Sequence, residues 1–278
     1  MSYPIILNKS NYIGGSTYEY NFGTSVEMGQ VSVALGSASL FYSWRNITAV
    51  KANNTLNIIH PTTSAVVVLT LNIPDGGYEI ADLNNYIRWY LISNGYYIQN
   101  NTTGDQIVYC ELRVNAATYS VEFVSYNLPT SLPAGYTAGS AITFPSTTRG
   151  PQLQVTNANF GKLIGFATGT FPSSAPTTIT TVASTMTPVL TDVQNVVVTL
   201  DSAFNPFAPN SKVIHAISYS GVAYGRLITS EPNELTFVPQ QQGFRQTLRI
   251  QLTDQNLQPL QIIDTDITIK LILKANEQ

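Results

Sequence analysis

Hydrophobic residues along this chain recur with a period of two far more often than with a helical period. Val31, Val33 and Leu35 alternate with Ser and Ala, and Leu40, Tyr42 and Trp44 continue the pattern, with Gly36 between them marking a bulge or bend. Further strands are predicted at 56–60, 65–73, 107–114, 119–126 and 152–155, and the segment 160–166 also reads as strand-like. Asn53-Asn54, Pro74-Asp75-Gly76-Gly77 and Asn115-Ala116-Ala117-Thr118 supply turns between them. One helix stands out: Ile80, Leu83, Ile87 and Leu91 return every three or four residues, Asn84, Asn85 and Arg88 occupy the opposite face, and Asn94-Gly95 is a stop. In the last third, strands at 193–200, 212–219, 235–238, 246–252 and 267–273 follow one another without helices. Leu248, Ile250 and Leu252, then Ile267, Ile269, Leu271 and Leu273, alternate strictly, as half-buried strands do.

Many short strands with a single helix predict an all-β fold, an antiparallel β-sandwich with the jelly roll as its leading topology, one short helix and a loop-rich insertion. Residues 1–25, with Pro4, Gly14, Gly15 and Gly23 among Tyr, Asn and Ser, read as an extended N-terminal arm that needs a neighbour to order it. Residues 26–278 then form a single jelly-roll domain. The Ser-, Thr-, Pro- and Gly-rich stretch at about 127–190 is expected to be an elaboration of that domain, built from short strands and surface loops.

Composition changes the picture from a generic sandwich to a surface made for partners. Charged residues are only 10% of the chain, against about 25% in an ordinary soluble domain. Asn, Gln, Ser and Thr cover the surface instead, which leaves little repulsion to hold molecules apart. The net charge of −3, with 13 scattered Lys and Arg, does not make a basic stripe for nucleic acid. A single cysteine, Cys110, provides no disulfide framework and suits a reducing compartment. Met1-Ser2-Tyr3-Pro4 does not open a secretory signal, so synthesis in the cytoplasm is expected, and no run of about 18 apolar residues predicts a membrane span.

Candidate chemistry is sparse, and no catalytic, cofactor-binding or metal-binding residue is predicted. His60 precedes Pro61 at a turn and His215 lies in a strand pattern; neither has a second ligand or base nearby in sequence. Cys110 alternates with Val108 and Leu112, the pattern of a small buried hydrophobe. Asp254, Asp264 and Asp266 form the densest acidic group and read as turn residues flanking strands. Asn46-Ile47-Thr48, Asn53-Asn54-Thr55 and Asn101-Thr102-Thr103 match glycosylation sequons, which an Asn- and Thr-rich chain generates by chance. Tyr96-Tyr97 could line a sugar- or protein-binding face or belong to the core and rim of the sandwich. The chain is not expected to be an enzyme.

Several segments, in order, resemble one family, the penton or minor capsid proteins of virophages and of the related Polinton (Maverick) and polinton-like viruses. They are 31–35 with Tyr42-Ser43-Trp44-Arg45-Asn46-Ile47 and the Asn53-Asn54 turn, then the run from Ile73-Pro74-Asp75-Gly76-Gly77-Tyr78 to Asn84, and Leu163-Ile164-Gly165-Phe166. Residues 246–254, Pro259-Leu260 and Asp266-Ile267-Thr268-Ile269-Lys270-Leu271 complete the set, in patches between 30 and 274. The resemblance implies a single jelly roll upright in a capsid shell, a pentamer at the icosahedral five-fold vertices, and a larger double jelly-roll major capsid protein as neighbour. At 278 residues the chain is too short to be that double barrel itself. A different class of function also fits: a carbohydrate- or receptor-binding β-sandwich of a virion spike or lectin-like module, using exposed tyrosines.

Overall fold

A computed structural model describes residues 2–63, 65–205, 210 and 212–275. The chain divides into two compact units, Met1–Arg45 with Val193–Gln278, and Asn46–Asp192.

The first unit opens with β1 (Ser2–Leu7), β2 (Tyr12–Gly14), β3 (Thr17–Glu27) and β4 (Val31–Phe41). The chain then builds the second unit: β5 (Thr55–Pro61), β6 (Val66–Asn72), α1 (Ile80–Ser93), β7 (Ile98–Asn100), β8 (Gln106–Ile107), β9 (Cys110–Asn115) and β10 (Ser120–Ser125). It continues through β11 (Tyr136–Ala138), β12 (Gln152–Val155), α2 (Ala158–Ile164), β13 (Gly169–Phe171) and β14 (Thr180–Ala183). The first unit is completed by β15 (Asn195–Leu200), β16 (Val213–Ser218), β17 (Leu227–Ser230), β18 (Val238–Pro239), β19 (Phe244–Thr253) and β20 (Thr268–Ala275).

The fold is all-β and antiparallel, and the first unit is its jelly roll. One sheet runs β1-β20-β4-β17, with β18 also paired to β4; the other runs β16-β15-β19-β3-β2. With β1, β3, β4, β15, β16, β17, β19 and β20 as barrel strands, one sheet holds the first, eighth, third and sixth. The other holds the second, seventh, fourth and fifth. Every connection except β15 to β16 therefore crosses between sheets, as interleaved Greek keys require. The alternating side chains meet in one core: Leu7, Val33, Leu35, Ile269 and Leu271 from one sheet, Val196, Val198, Leu248 and Ile250 from the other. Gly36 is the predicted bulge, because Leu271 pairs with Leu35 and Lys270 with Ser37, leaving Gly36 opposite no residue. Tyr42 and Trp44 lie beyond the end of β4 and pack, buried, against Tyr219.

Three features differ from the sequence expectations. The predicted arm is not free within residues 2–25: it holds the barrel strands β1, paired with β20, and most of β3, paired with β19, so the partner that orders it is the distant C-terminal end of the same chain. The material between β4 and β15 is not an elaboration of one domain confined to 127–190. It is a unit of its own from 46 to 192, with its own core built on Leu56, Ile58, Leu83, Leu112, Phe123 and Phe160. Most of segment 160–166 belongs to a helix, α2 (Ala158–Ile164), and not a strand: Asn157 caps its start by accepting from the Asn159 N–H, and Gly165 ends it at φ 78°.

Within the second unit the sheets are β13-β12-β5-β6, β14-β10-β9 and β11-β7-β8. Helix α1 buries Ile80, Leu83, Ile87 and Leu91 as the periodicity predicts. Asn84, expected on the solvent face, is half-buried, and its side-chain oxygen accepts from the Leu112 N–H at 2.9 Å, tying α1 to β9. Gly95 stops the helix at φ 78°, where a Cβ would lie 2.8 Å from the Ala141 nitrogen.

Candidate assembly surfaces

The open edges of the jelly roll are the first surfaces of note, since an edge strand presents unpaired main-chain groups. β1 and β2 are the edges of opposite sheets, joined through residues 8–11 alone, so they share one flank. That short link is fixed: Asn8 accepts from the Ser10 N–H at 2.9 Å, Asn11 accepts from the Asn8 N–H at 3.0 Å, and the Asn11 amide donates to the Glu19 carbonyl at 3.0 Å. Tyr3, Ile6, Tyr12 and Ile13 are exposed here, Ile6 by 56% and Ile13 by 53%. The one charged residue among 2–14 is Lys9.

The opposite flank is formed by β17 and β16, the other edges of the same two sheets, with β16 packed beside β4. Leu227, Tyr224 and Leu235 are exposed there. Glu231 and Glu234 lie in the connection from β17 to β18, both exposed. The strands β1, β2, β16 and β17 themselves hold no Asp, Glu, Lys or Arg, the charges that usually keep edge strands from pairing, although the exposed Lys212 and Arg226 directly precede β16 and β17.

A third edge lies in the second unit. Ile73 donates to the Asn54 carbonyl at 2.7 Å and Thr62 to the Ala65 carbonyl at 3.0 Å, which directs the odd-numbered residues of β6 towards β5. Val66, Val68, Thr70 and Asn72 therefore aim their main-chain groups outward. Helix α1 covers half of this edge, with the Tyr90 hydroxyl donating to the Thr70 carbonyl at 3.1 Å and the Tyr86 hydroxyl to that of Asn72 at 2.7 Å. Val66, Val67 and Val68 stay exposed, as does Trp89 at 58%, its ring 5.4 Å from that of Tyr86.

His60 is buried, its Nδ1 is 3.1 Å from the Pro61 carbonyl and its ring is 5.0 Å from Tyr96; burial pushes its pKa down to about 4. His215, half-buried in β16, is also shifted down by desolvation. The Cys110 thiol is buried in the core of the second unit and pushed up to about 12, which holds it as an unreactive thiol. The acidic trio is not a cluster of ligands. Asp254 accepts from the Asn256 and Gln258 N–H groups, both at 2.8 Å, and Asp264 from the Asp266 N–H at 2.9 Å. β20 begins only at Thr268, so Asp264 and Asp266 belong to the preceding loop and not to one strand face. Among the described residues, no three His, Cys, Asp or Glu side chains come together in a way that could hold a metal ion. Nor is any helix among them long and apolar enough to cross a membrane. Asn46 and Asn53 are buried, which removes two sequons from reach; Asn101 is exposed. Tyr96 packs partly against the core and Tyr97 is half-buried, so neither forms an open aromatic face.

A cleft of about 250 Å³ in the second unit is lined by Asn46, Asn53, Lys51, Leu190 and Asp192, among others. Its amides are committed internally. Asn46 donates to the carbonyls of Tyr78 at 2.7 Å and Leu190 at 2.8 Å and accepts from the Tyr78 N–H. Lys51 pairs with Asp192 at 2.7 Å. These bonds close the start of the unit onto its end, which is what the cleft residues do.

No family model and no curated protein matches the sequence. Among solved structures, the chain is similar to the crystal structure of the selenomethionine-labelled penton protein of mavirus. The match covers 99% of this chain and 98% of that one, at 10% identity and a TM-score of 0.45.

Proposed function

We propose that this chain is a structural subunit of a viral capsid, the penton or minor capsid protein that forms pentamers at the five-fold vertices beside a larger double jelly-roll capsid protein. The observation that carries this reading is the jelly roll itself, closed by its own N- and C-terminal strands and left with two open flanks whose edge strands hold no Asp, Glu, Lys or Arg. A ring needs head-to-tail contacts between two different patches of one molecule, and a sandwich with two open flanks offers that pair. Uncharged polar and apolar groups enter such contacts without the desolvation penalty of ions. The ordered sequence motifs between 30 and 274 point the same way. Antibody labelling of intact virions of the encoding virus tests the assignment: label is expected at the vertices, and a chain absent from virions contradicts it.

One observation favours the second reading, a carbohydrate- or receptor-binding module: Trp89, exposed on α1 beside Tyr86, is a platform of the kind that stacks on sugars. A glycan-array screen separates the two. Saturable binding by a single chain, lost in Trp89→Ala, supports the binding module.

A further inference from the structure

We propose that β6 is a self-association edge whose partner is the β6 of a second copy, and that Tyr86 and Tyr90 of α1 hold most of it closed. The strand Val66-Val67-Val68-Leu69-Thr70-Leu71-Asn72 has no charge, proline or glycine, and four of its residues are β-branched, the composition of segments that stack into cross-β assemblies. Between Lys51 and Asp75 the chain has no Asp, Glu, Lys or Arg, so the charges that usually blunt an edge are missing from the whole β5–β6 hairpin. The two charged residues of α1 are engaged within the unit. Arg88 donates to the Gln106 carbonyl at 2.6 Å, and Asp82 accepts from the Glu79 N–H at 2.9 Å.

What protects this edge instead is a pair of hydroxyls. The outward main-chain groups of β6 belong to Val66, Val68, Thr70 and Asn72, and the tyrosines donate to the carbonyls of the last two, at 3.1 and 2.7 Å. In antiparallel pairing about a two-fold axis, the full strand centred on Leu69 sets Val66 opposite Asn72 and Val68 opposite Thr70 of the copy, for about eight main-chain hydrogen bonds. With the tyrosines in place, the widest such pairing left is centred on Val67, with Val66 opposite Val68, for about four. A second copy is the occupant that fits, because a strand meeting its own sequence sets β-branched side chains against each other and brings no like charges together. This contact is two-fold and uses the second unit, so it is separate from the ring of the capsid-subunit reading and does not depend on it.

The test follows the growth of large species by light scattering and thioflavin fluorescence, in the full chain, in the double variant Tyr86→Phe with Tyr90→Phe, and in that variant with Val68→Lys added. Phenylalanine keeps the rings over the strand and removes only the two donors. Circular dichroism with a thermal melt checks that each variant folds. Two hydroxyl bonds of ordinary strength, each worth about fivefold, are lost together, so the double variant is expected to associate about twenty-fivefold faster than the natural chain. Val68→Lys, which puts a charge on an exposed edge side chain, returns the rate to the natural level. A folded double variant that associates at the natural rate overturns the role of the tyrosines. Association that Val68→Lys leaves unchanged runs through another surface and overturns the β6 edge. Should the double variant not fold, Tyr90→Phe alone, with and without Val68→Lys, is read the same way, at about fivefold.

Discussion

His60 shows how a polar side chain in a core couples stability to pH. Its ring is neutral in the folded chain, with a pKa near 4, against about 6.5 when exposed. Because the folded pKa is lowered, the unfolded chain binds the extra proton first, so stability is complete above about pH 6.5 and falls as the pH drops towards 4. The full loss is about 3 kcal/mol. Glu122 acts in the same direction, since the Asn115 amide and the Arg113 guanidinium hold its carboxyl below the usual range. Melting temperatures of the second unit between pH 7 and pH 4 should fall, and His60→Phe should flatten most of that slope; an unchanged slope contradicts the assignment.

Trp44 is a different case. It is 3% exposed and its Nε1–H has no hydrogen-bond partner, although its ring packs on Tyr42 and Tyr219. A buried unmade hydrogen bond costs about 1–3 kcal/mol, which offsets the lost area when the ring is shortened. Trp44→Phe is therefore expected to change stability by less than about 1 kcal/mol, whereas Trp44→Ala should cost about 3–5 kcal/mol. Denaturant midpoints read both. The burial of Cys110 was legible from its alternation with Val108 and Leu112, whereas His60, read at a turn before Pro61, lies buried inside β5. The bonding of Asp254 and Asp264 to the turns around them was legible as well. That β1 and β2 share one flank was not, because they take their places only once β1 has found β20 and β3 has found β19.

Among the elements, strands buried on one face were the easiest to read. The alternation of Leu248, Ile250 and Leu252 in β19, and of Ile269, Leu271 and Leu273 in β20, reports a fixed inside and outside. β1 gives no such signal: only Ile5 and Leu7 are buried, because an edge strand at the rim has little to face. Its glycine-rich successor reads as loose chain until β3 pairs with β19, more than 200 residues away. Helix α2 was misread for another reason. Phe160, Leu163 and Ile164 do follow the helical i, i+3, i+4 spacing, but seven residues with a glycine among them repeat it too few times to stand out. Asn157 and Gly165, a cap at each end, were the signal that distinguishes it. Gly165 also sets a prediction: at φ 78°, a Cβ would lie 2.4 Å from the Met186 carbonyl oxygen, so Gly165→Ala should cost about 2 kcal/mol or more. A thermal melt matching that of the natural chain would contradict this.

For the molecule as a whole, the jelly roll was legible as a class and hidden as a topology. Nothing local states that a whole unit, Asn46–Asp192, is inserted between its third and fourth strands. The second unit holds its own ends together through Asn46 and Leu190 and through Lys51 and Asp192. A fragment of residues 46–192 is accordingly expected to fold alone, with a cooperative melt and dispersed amide resonances; a disordered fragment would show that the barrel is needed to form it. The claim that joins these scales is that the barrel is shaped to be tiled with copies of itself. Native mass spectrometry of the purified full chain tests it most directly. A predominant assembly of five chains is the predicted result, and a population of single chains, or closed rings of another number, would contradict it.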